Sequence, residues 1–183
     1  MARTGGRLLL ALAAALIAGG CDGDGGYLAD RKEPAASKTT AMPADMPADF
    51  DFELKYGYGG GKNEVDTYDG TITKDLIVNG TATADLALSE QEMRDIYARM
   101  REIDIMGKKK LEPENPGCGQ DPHTDDSWTV TAAGETKSMH LSTEHCDITD
   151  DARQLADLRE YVRGIAESKA AYKALPEAEG GYD

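Results

Sequence analysis

The side chains able to do chemistry in this chain gather in its second half. Cys118 and Cys146 flank a run that holds all three histidines and many acids. His123, Asp125 and Asp126 follow Cys118, while His140, Glu144, His145 and Asp147 surround Cys146. Two readings compete. In one, the cysteines pair with each other, closing a loop of about 29 residues for roughly 3.5 kcal/mol in the chain-entropy model. In the other, the thiols stay free and a metal is held at this corner, with His123, Asp125, His140 and His145 as further candidate ligands. A zinc site needs about four ligands in tetrahedral array. The sequence has no Cys-x-x-Cys and no His-Glu-x-x-His spacing, so the expectation is a disulfide, no metal and no cofactor.

Other catalytic patterns fail residue by residue. Gly61-Lys62 has the look of a phosphate loop, but Tyr56 stands where its first glycine is needed and Asn63 where a hydroxyl is required. Gly57-Tyr58-Gly59 meets Lys62 at the position of the third dinucleotide-binding glycine. No Gly-x-Ser-x-Gly elbow is present, and nothing local orients a histidine toward Ser127 or Ser138. Tyr56, Tyr58 and Tyr68 are the candidate aromatic patch for a glycan or a peptide, against the plainer reading that such tyrosines cover a sheet.

These residues need a scaffold, and the hydropathy pattern specifies one. Phe50, Phe52, Leu54 and Tyr56 alternate with Asp51, Glu53 and Lys55, which predicts a half-buried strand. Residues 57–62 form a glycine-rich turn and 64–68 return. Asp69-Gly70 and Asn79-Gly80 are hairpin signals bounding strands at 71–78, with Ile72 and Leu76 on one face, and at 81–88. Ser89 and Glu92 have capping-box spacing ahead of a helical stripe of Met93, Ile96, Tyr97, Met100 and Ile103. The segment from Gly107 to Asp126 reads as a long loop. Trp128, Val130 and Ala132 start a strand that turns at Gly134 and returns over 136–141. A last helix begins near Thr149, with Asp150 and Asp151 at the positive end of its dipole and Leu155, Leu158, Val162 and Ile165 as its buried stripe. The order is ββββ-α-ββ-α. An antiparallel sheet of about six strands with two helices on one face buries every stripe, so the fold class is α+β.

The flanks read differently. Residues 1–20 carry Arg3 and Arg7 and then an unbroken apolar run from Leu8 to Ala18. That run is signal-peptide length and shorter than the about 20 residues a spanning helix needs. Ala15-Leu16-Ile17-Ala18-Gly19-Gly20-Cys21 resembles the lipobox of bacterial lipoprotein precursors, with Ala18 where leucine is commonest. The resemblance implies cleavage before Cys21, acylation of its sulfur and a lipid anchor facing the periplasm or exterior. Asp22 after the cysteine implies, for Gram-negative cells, retention in the inner membrane. One acyl chain holds only marginally at about 0.8 kcal/mol per buried methylene, so a diacylglyceryl group gives the stable hold. Residues 21–48, with Met42-Pro43-Ala44-Asp45 repeated as Met46-Pro47-Ala48-Asp49, read as the lipidated cysteine and a flexible tether. The domain is then 49–175, Pro176 stops the last helix, and 176–183 is a loose tail.

The body is similar to uncharacterised bacterial lipoproteins with one small α+β domain, through residues 89–106 and the ending Tyr172-Lys173-Ala174-Leu175-Pro176 with Gly180-Gly181-Tyr182-Asp183. That similarity implies a domain boundary and no activity. A net charge of −14 repels nucleic acid and anionic headgroups, which excludes nucleic acid as a partner. The expected role is a non-enzymatic binding module in the cell envelope, with an unidentified envelope protein as partner. The rivals are a metal-binding protein or metal-dependent enzyme at the Cys118–Cys146 corner, and an inhibitor of an envelope hydrolase presenting the loop 108–122.

Overall fold

The computed structural model describes residues 41–182. The expected signal peptide 1–20, Cys21 and the expected tether up to residue 40 lie outside the described residues. Six strands, β1 (Asp51–Gly57), β2 (Asn63–Asp66), β3 (Thr71–Asp75), β4 (Thr81–Asp85), β5 (Thr124–Ala132) and β6 (Glu135–Ser142), form one sheet. Its order is β4-β3-β2-β1-β5-β6, with every neighbouring pair antiparallel. The single turn α1 (Tyr58–Gly61) joins β1 to β2, α2 (Glu90–Glu102) joins β4 to β5, and α3 (Asp150–Ser168) with the short α4 (Ala170–Lys173) follows β6. This is the expected α+β architecture.

The alternation in β1 decides which face is covered. Phe52, Leu54 and Tyr56 are buried, as are Val65, Ile72, Trp128, Val130 and Leu141 on the neighbouring strands. They meet Ile96, Tyr97 and Met100 of α2 and Leu155, Leu158, Val162 and Ala166 of α3 in one core. Phe50 stacks edge-on against Tyr97, ring centroids 4.9 Å apart. The opposite face is polar. Cross-strand hydroxyls pair along it, Thr73 with Thr83 at 2.9 Å, Thr129 with Ser138 at 3.1 Å and Thr131 with Thr136 at 2.8 Å.

The caps follow the sequence. Ser89 Oγ accepts from the Glu92 amide at 3.3 Å while the Glu92 carboxylate accepts from the Ser89 amide at 2.7 Å, closing the capping box. Lys169 and the Ser89 amide hold the Glu92 carboxyl below its ordinary range. Thr149 Oγ1 caps α3 by accepting from the Ala152 amide at 3.1 Å.

Strands β3 and β4 are shorter than expected. The Asp75 carboxylate accepts from the Ile77 amide at 2.8 Å and Ile77 turns to a φ of 62, so β3 stops at Asp75 and not at residue 78. The run 81–88 gives up its pairing after the Leu86 amide bonds Gly70 O at 2.8 Å, because the chain must enter the α2 cap at Ser89.

Both predicted limits of the domain, 49 and 175, are corrected outward. Residues 41–48 are packed, not a free tether. Met42 is 3% exposed, Met46 packs against the same core, and Tyr97 Oη donates to Pro43 O at 2.8 Å. The repeated Met-Pro units place a methionine on the core at each repeat, and the prolines lower the entropy lost on ordering. Asp49 then accepts from the Ala133 and Gly134 amides at 3.0 and 2.6 Å, and the Gly134 amide leads in lowering its pKa. At the other end, residues 176–182 are not loose. Glu179 bridges Ile77 in parallel, the Val78 amide donates to Glu179 O at 3.3 Å, and Tyr182 Oη donates to Asp75 Oδ2.

Candidate functional site

Cys118 and Cys146 form a disulfide with Cα atoms 5.5 Å apart. The Cys146 amide donates to Cys118 O at 3.2 Å and the Gln120 amide to Glu144 O at 2.7 Å, so the loop lies along the segment before α3. The sulfurs are therefore not metal ligands, and the metal-corner alternative loses its two thiolates. His145 faces the Cys118 carbonyl, Nδ1 3.3 Å away. His123 and His140 approach Asp125 from either side, at 3.7 and 3.6 Å.

His140 Nδ1 also lies 3.2 Å from Ser127 Oγ, an alignment of Ser, His and Asp that local spacing hid because it forms only across β5 and β6. Ser127 and Asp125 sit on β5, which is paired on both sides, and His140 on the edge strand β6, all on the polar face of the sheet. Among the described residues, Glu53, Glu64 and Asp66 are the carboxylates close enough to share an ion. Lys55 Nζ already neutralises two of them, 2.6 Å from Glu53 and 3.2 Å from Glu64.

Within the basic run Lys108-Lys109-Lys110, Lys109 serves the end of α2, and Lys137 of β6 joins it there. Lys109 Nζ donates to Ile103 O and lies 3.3 Å from Asp151, while Lys137 Nζ donates to Ile105 O at 3.0 Å. These ammonium groups satisfy carbonyls at and beyond a helix C-terminus.

Among several concavities, one cleft of about 430 Å³ lies at the end of the sheet where β1 runs into its glycine turn. Tyr56, Tyr58, Asn63 and Asp75 line one side, Arg159, Glu160 and Arg163 of α3 another, and Tyr182 closes the rim. The predicted aromatic patch is thus corrected. Tyr56 and Tyr58 reach this cleft, but Tyr68 lies elsewhere, its hydroxyl 2.8 Å from Thr131 Oγ1. Alternation explains the split, since Tyr56 points to the covered face and Tyr68 follows the Asp66 turn. Tyr182, read as part of a loose tail, supplies the missing ring, its centroid 5.8 Å from that of Tyr58. Gly59 makes room for it: a Cβ there would stand 2.9 Å from the Tyr182 ring, at a φ of 63 that favours glycine.

Behind the cleft lies Asp126, 1% exposed and directly across from Tyr56 in the β1–β5 register. Arg159 Nε stands 3.2 Å from Asp126 Oδ2, close enough to attract. The pair is not aligned as a hydrogen bond, and both Asp126 oxygens, Arg159 Nε and the Tyr56 hydroxyl have no hydrogen-bond partner. Burial pushes the Asp126 carboxyl up to about 6, against the opposing pull of Arg159. Burial likewise raises the Tyr56 phenol. Unsatisfied buried groups of this kind cost about 1–3 kcal/mol each; Arg101 Nε, His123 Nδ1 and Trp128 Nε1 are others in this fold.

Among the described residues no helix is long and apolar enough to cross a membrane. No family model matches the chain, and no curated protein matches it.

Proposed function

We propose that this chain is a lipid-anchored binding module of the cell envelope, held at Cys21 and engaging its partner at the cleft between Tyr58, Arg163 and Tyr182. The anchor rests on the lipobox-like run ending at Cys21. The binding role rests on the cleft, and the single observation that carries it is the cluster of buried polar groups at and behind its floor: the Tyr56 hydroxyl, which makes no hydrogen bond, and the Asp126–Arg159 ion pair, whose atoms stand 3.2 Å apart without hydrogen-bond alignment. Folded domains satisfy such groups unless a site needs them. The stapled loop, by contrast, is tied down by the disulfide and by the Lys110 amide on Asp151, and its Lys109 is used at the end of α2. These observations favour the cleft over the loop 108–122 as the contact surface.

The test is crosslinking in cells followed by pull-down of the anchored protein, comparing wild type with Tyr58→Ala/Arg163→Gln. A discrete partner lost in the variant supports the reading. A partner retained in full by the variant, or lost only on deleting the loop, removes it in favour of the inhibitor reading.

A further inference from the structure

The hydrogen-bonding inventory of the cleft is lopsided. The acceptors on its wall are engaged, while the two Asp126 oxygens, which make no hydrogen bond, lie behind it at 1% exposure and face Arg159. Asn63 Oδ1 accepts from the Asp75 amide at 3.0 Å, Asp75 Oδ1 from the Ile77 amide at 2.8 Å, and Asp75 Oδ2 from Tyr182. Glu160 faces Arg163 at 2.6 Å and Arg159 at 3.5 Å. Its donors are in surplus. Each guanidinium carries five N–H groups. Arg163 spends one of them on Glu160, Arg159 is ion-paired with Asp126 and Glu160 but has no aligned hydrogen bond at Nε, and the hydroxyl of Tyr56, a residue 4% exposed, makes none. A ligand that completes this site must bring acceptor oxygens.

The shape of the donors narrows the class. Planar forks match planar, two-oxygen acceptors. A singly charged acceptor is favoured over a dianion by Glu160, Asp75 and a net charge of −14. Tyr58 and Tyr182, their planes 32° apart, offer a wall on which a ring can lie, and Lys62 Nζ sits 5.4 Å from the Tyr182 ring centre. We infer that the cleft takes a carboxylate carried on a six-membered ring, with the ring against Tyr58 and Tyr182 and the carboxylate on Arg159 and Arg163. This rests on the reading of the cleft as the binding surface and names its ligand class.

Two sources share that chemistry, a sugar acid and an aromatic acid. The probes are therefore galacturonate with neutral galactose, and benzoate with neutral benzamide, each titrated into the full chain in detergent micelles and followed by saturation-transfer NMR. At least one acid should bind at least tenfold more tightly than its neutral partner, and Arg163→Gln should abolish that preference while near-ultraviolet circular dichroism stays unchanged. Arg163 is the residue to change because it is 44% exposed and its ion pair is with Glu160 alone, whereas removing Arg159 strands Asp126. Preference for galacturonate marks a sugar acid and preference for benzoate an aromatic one. Three results overturn the inference: neither acid binds, the neutral partners bind equally well, or the preference survives in Arg163→Gln. Equal binding of acid and neutral probes that Tyr58→Ala removes would sink the carboxylate while leaving the cleft as the binding surface.

Discussion

Asp126 sits on β5 with Trp128 and Val130, and its side chain points with theirs into the helix-covered side of the sheet. A carboxyl raised from its ordinary value to about 6 binds a proton more tightly in the folded state than in the unfolded one. Between about pH 4 and 6 the native state therefore holds more protons, and this group's contribution to stability falls as pH rises through that window. The full penalty, about 2 to 3 kcal/mol by the linkage of pKa to free energy, is present above pH 6. Asp126→Asn should remove this slope, so denaturant unfolding of variant and wild type at pH 4.5 and 7 should show the variant gaining on wild type at the higher pH. A constant difference between the two would show that Asp126 ionises normally. Tyr56→Phe deletes a buried hydroxyl without a partner. Its free energy of unfolding should stay or rise by up to about 1 kcal/mol, and a loss of more than about 1 kcal/mol would reveal a hydrogen bond to that oxygen.

The elements carry most of what was legible beforehand. Strict alternation in β1, the stripe on α2 and the Ser89–Glu92 spacing each have one physical solution, and each is present in the fold. Ser89→Ala should cost about 1 kcal/mol, measurable by thermal or denaturant unfolding, and no change would mean the cap is redundant. Reducing or replacing Cys118 and Cys146 together should cost about 2 to 4 kcal/mol, while a loss under 1 kcal/mol would show that the loop is held by its backbone contacts alone. What local pattern missed depends on partners distant in sequence. Met42 reads as tether until Tyr97 and the core are in place. Tyr182 reads as tail until Gly59 opens a seat for its ring. The alignment of Ser127, His140 and Asp125 exists only in the register of β5 with β6. The cleft was half visible, through Tyr56 and Tyr58. Its arginines lay on the polar flank of α3, where Arg159 and Arg163 look like ordinary solvated charges until the helix packs on the sheet end.

At the scale of the whole molecule, the described domain has a polar sheet face, a covered core and, at the end of the sheet, the cleft proposed as its binding surface. The proposed anchor at Cys21 predicts that Cys21→Ser abolishes incorporation of labelled fatty acid; continued labelling would dismiss the lipoprotein reading. The packed tail predicts that truncation before Pro176 loosens the cleft, which increased hydrogen exchange in β3 and at Gly59 would register. The claim that the cleft is the contact surface is tested most directly by photo-crosslinking in cells from two positions of the full chain, Tyr58 at the cleft and Ser138 on the polar sheet face. The account predicts a discrete adduct from position 58 and none from position 138. An adduct from position 138 alone, or from neither, would contradict it.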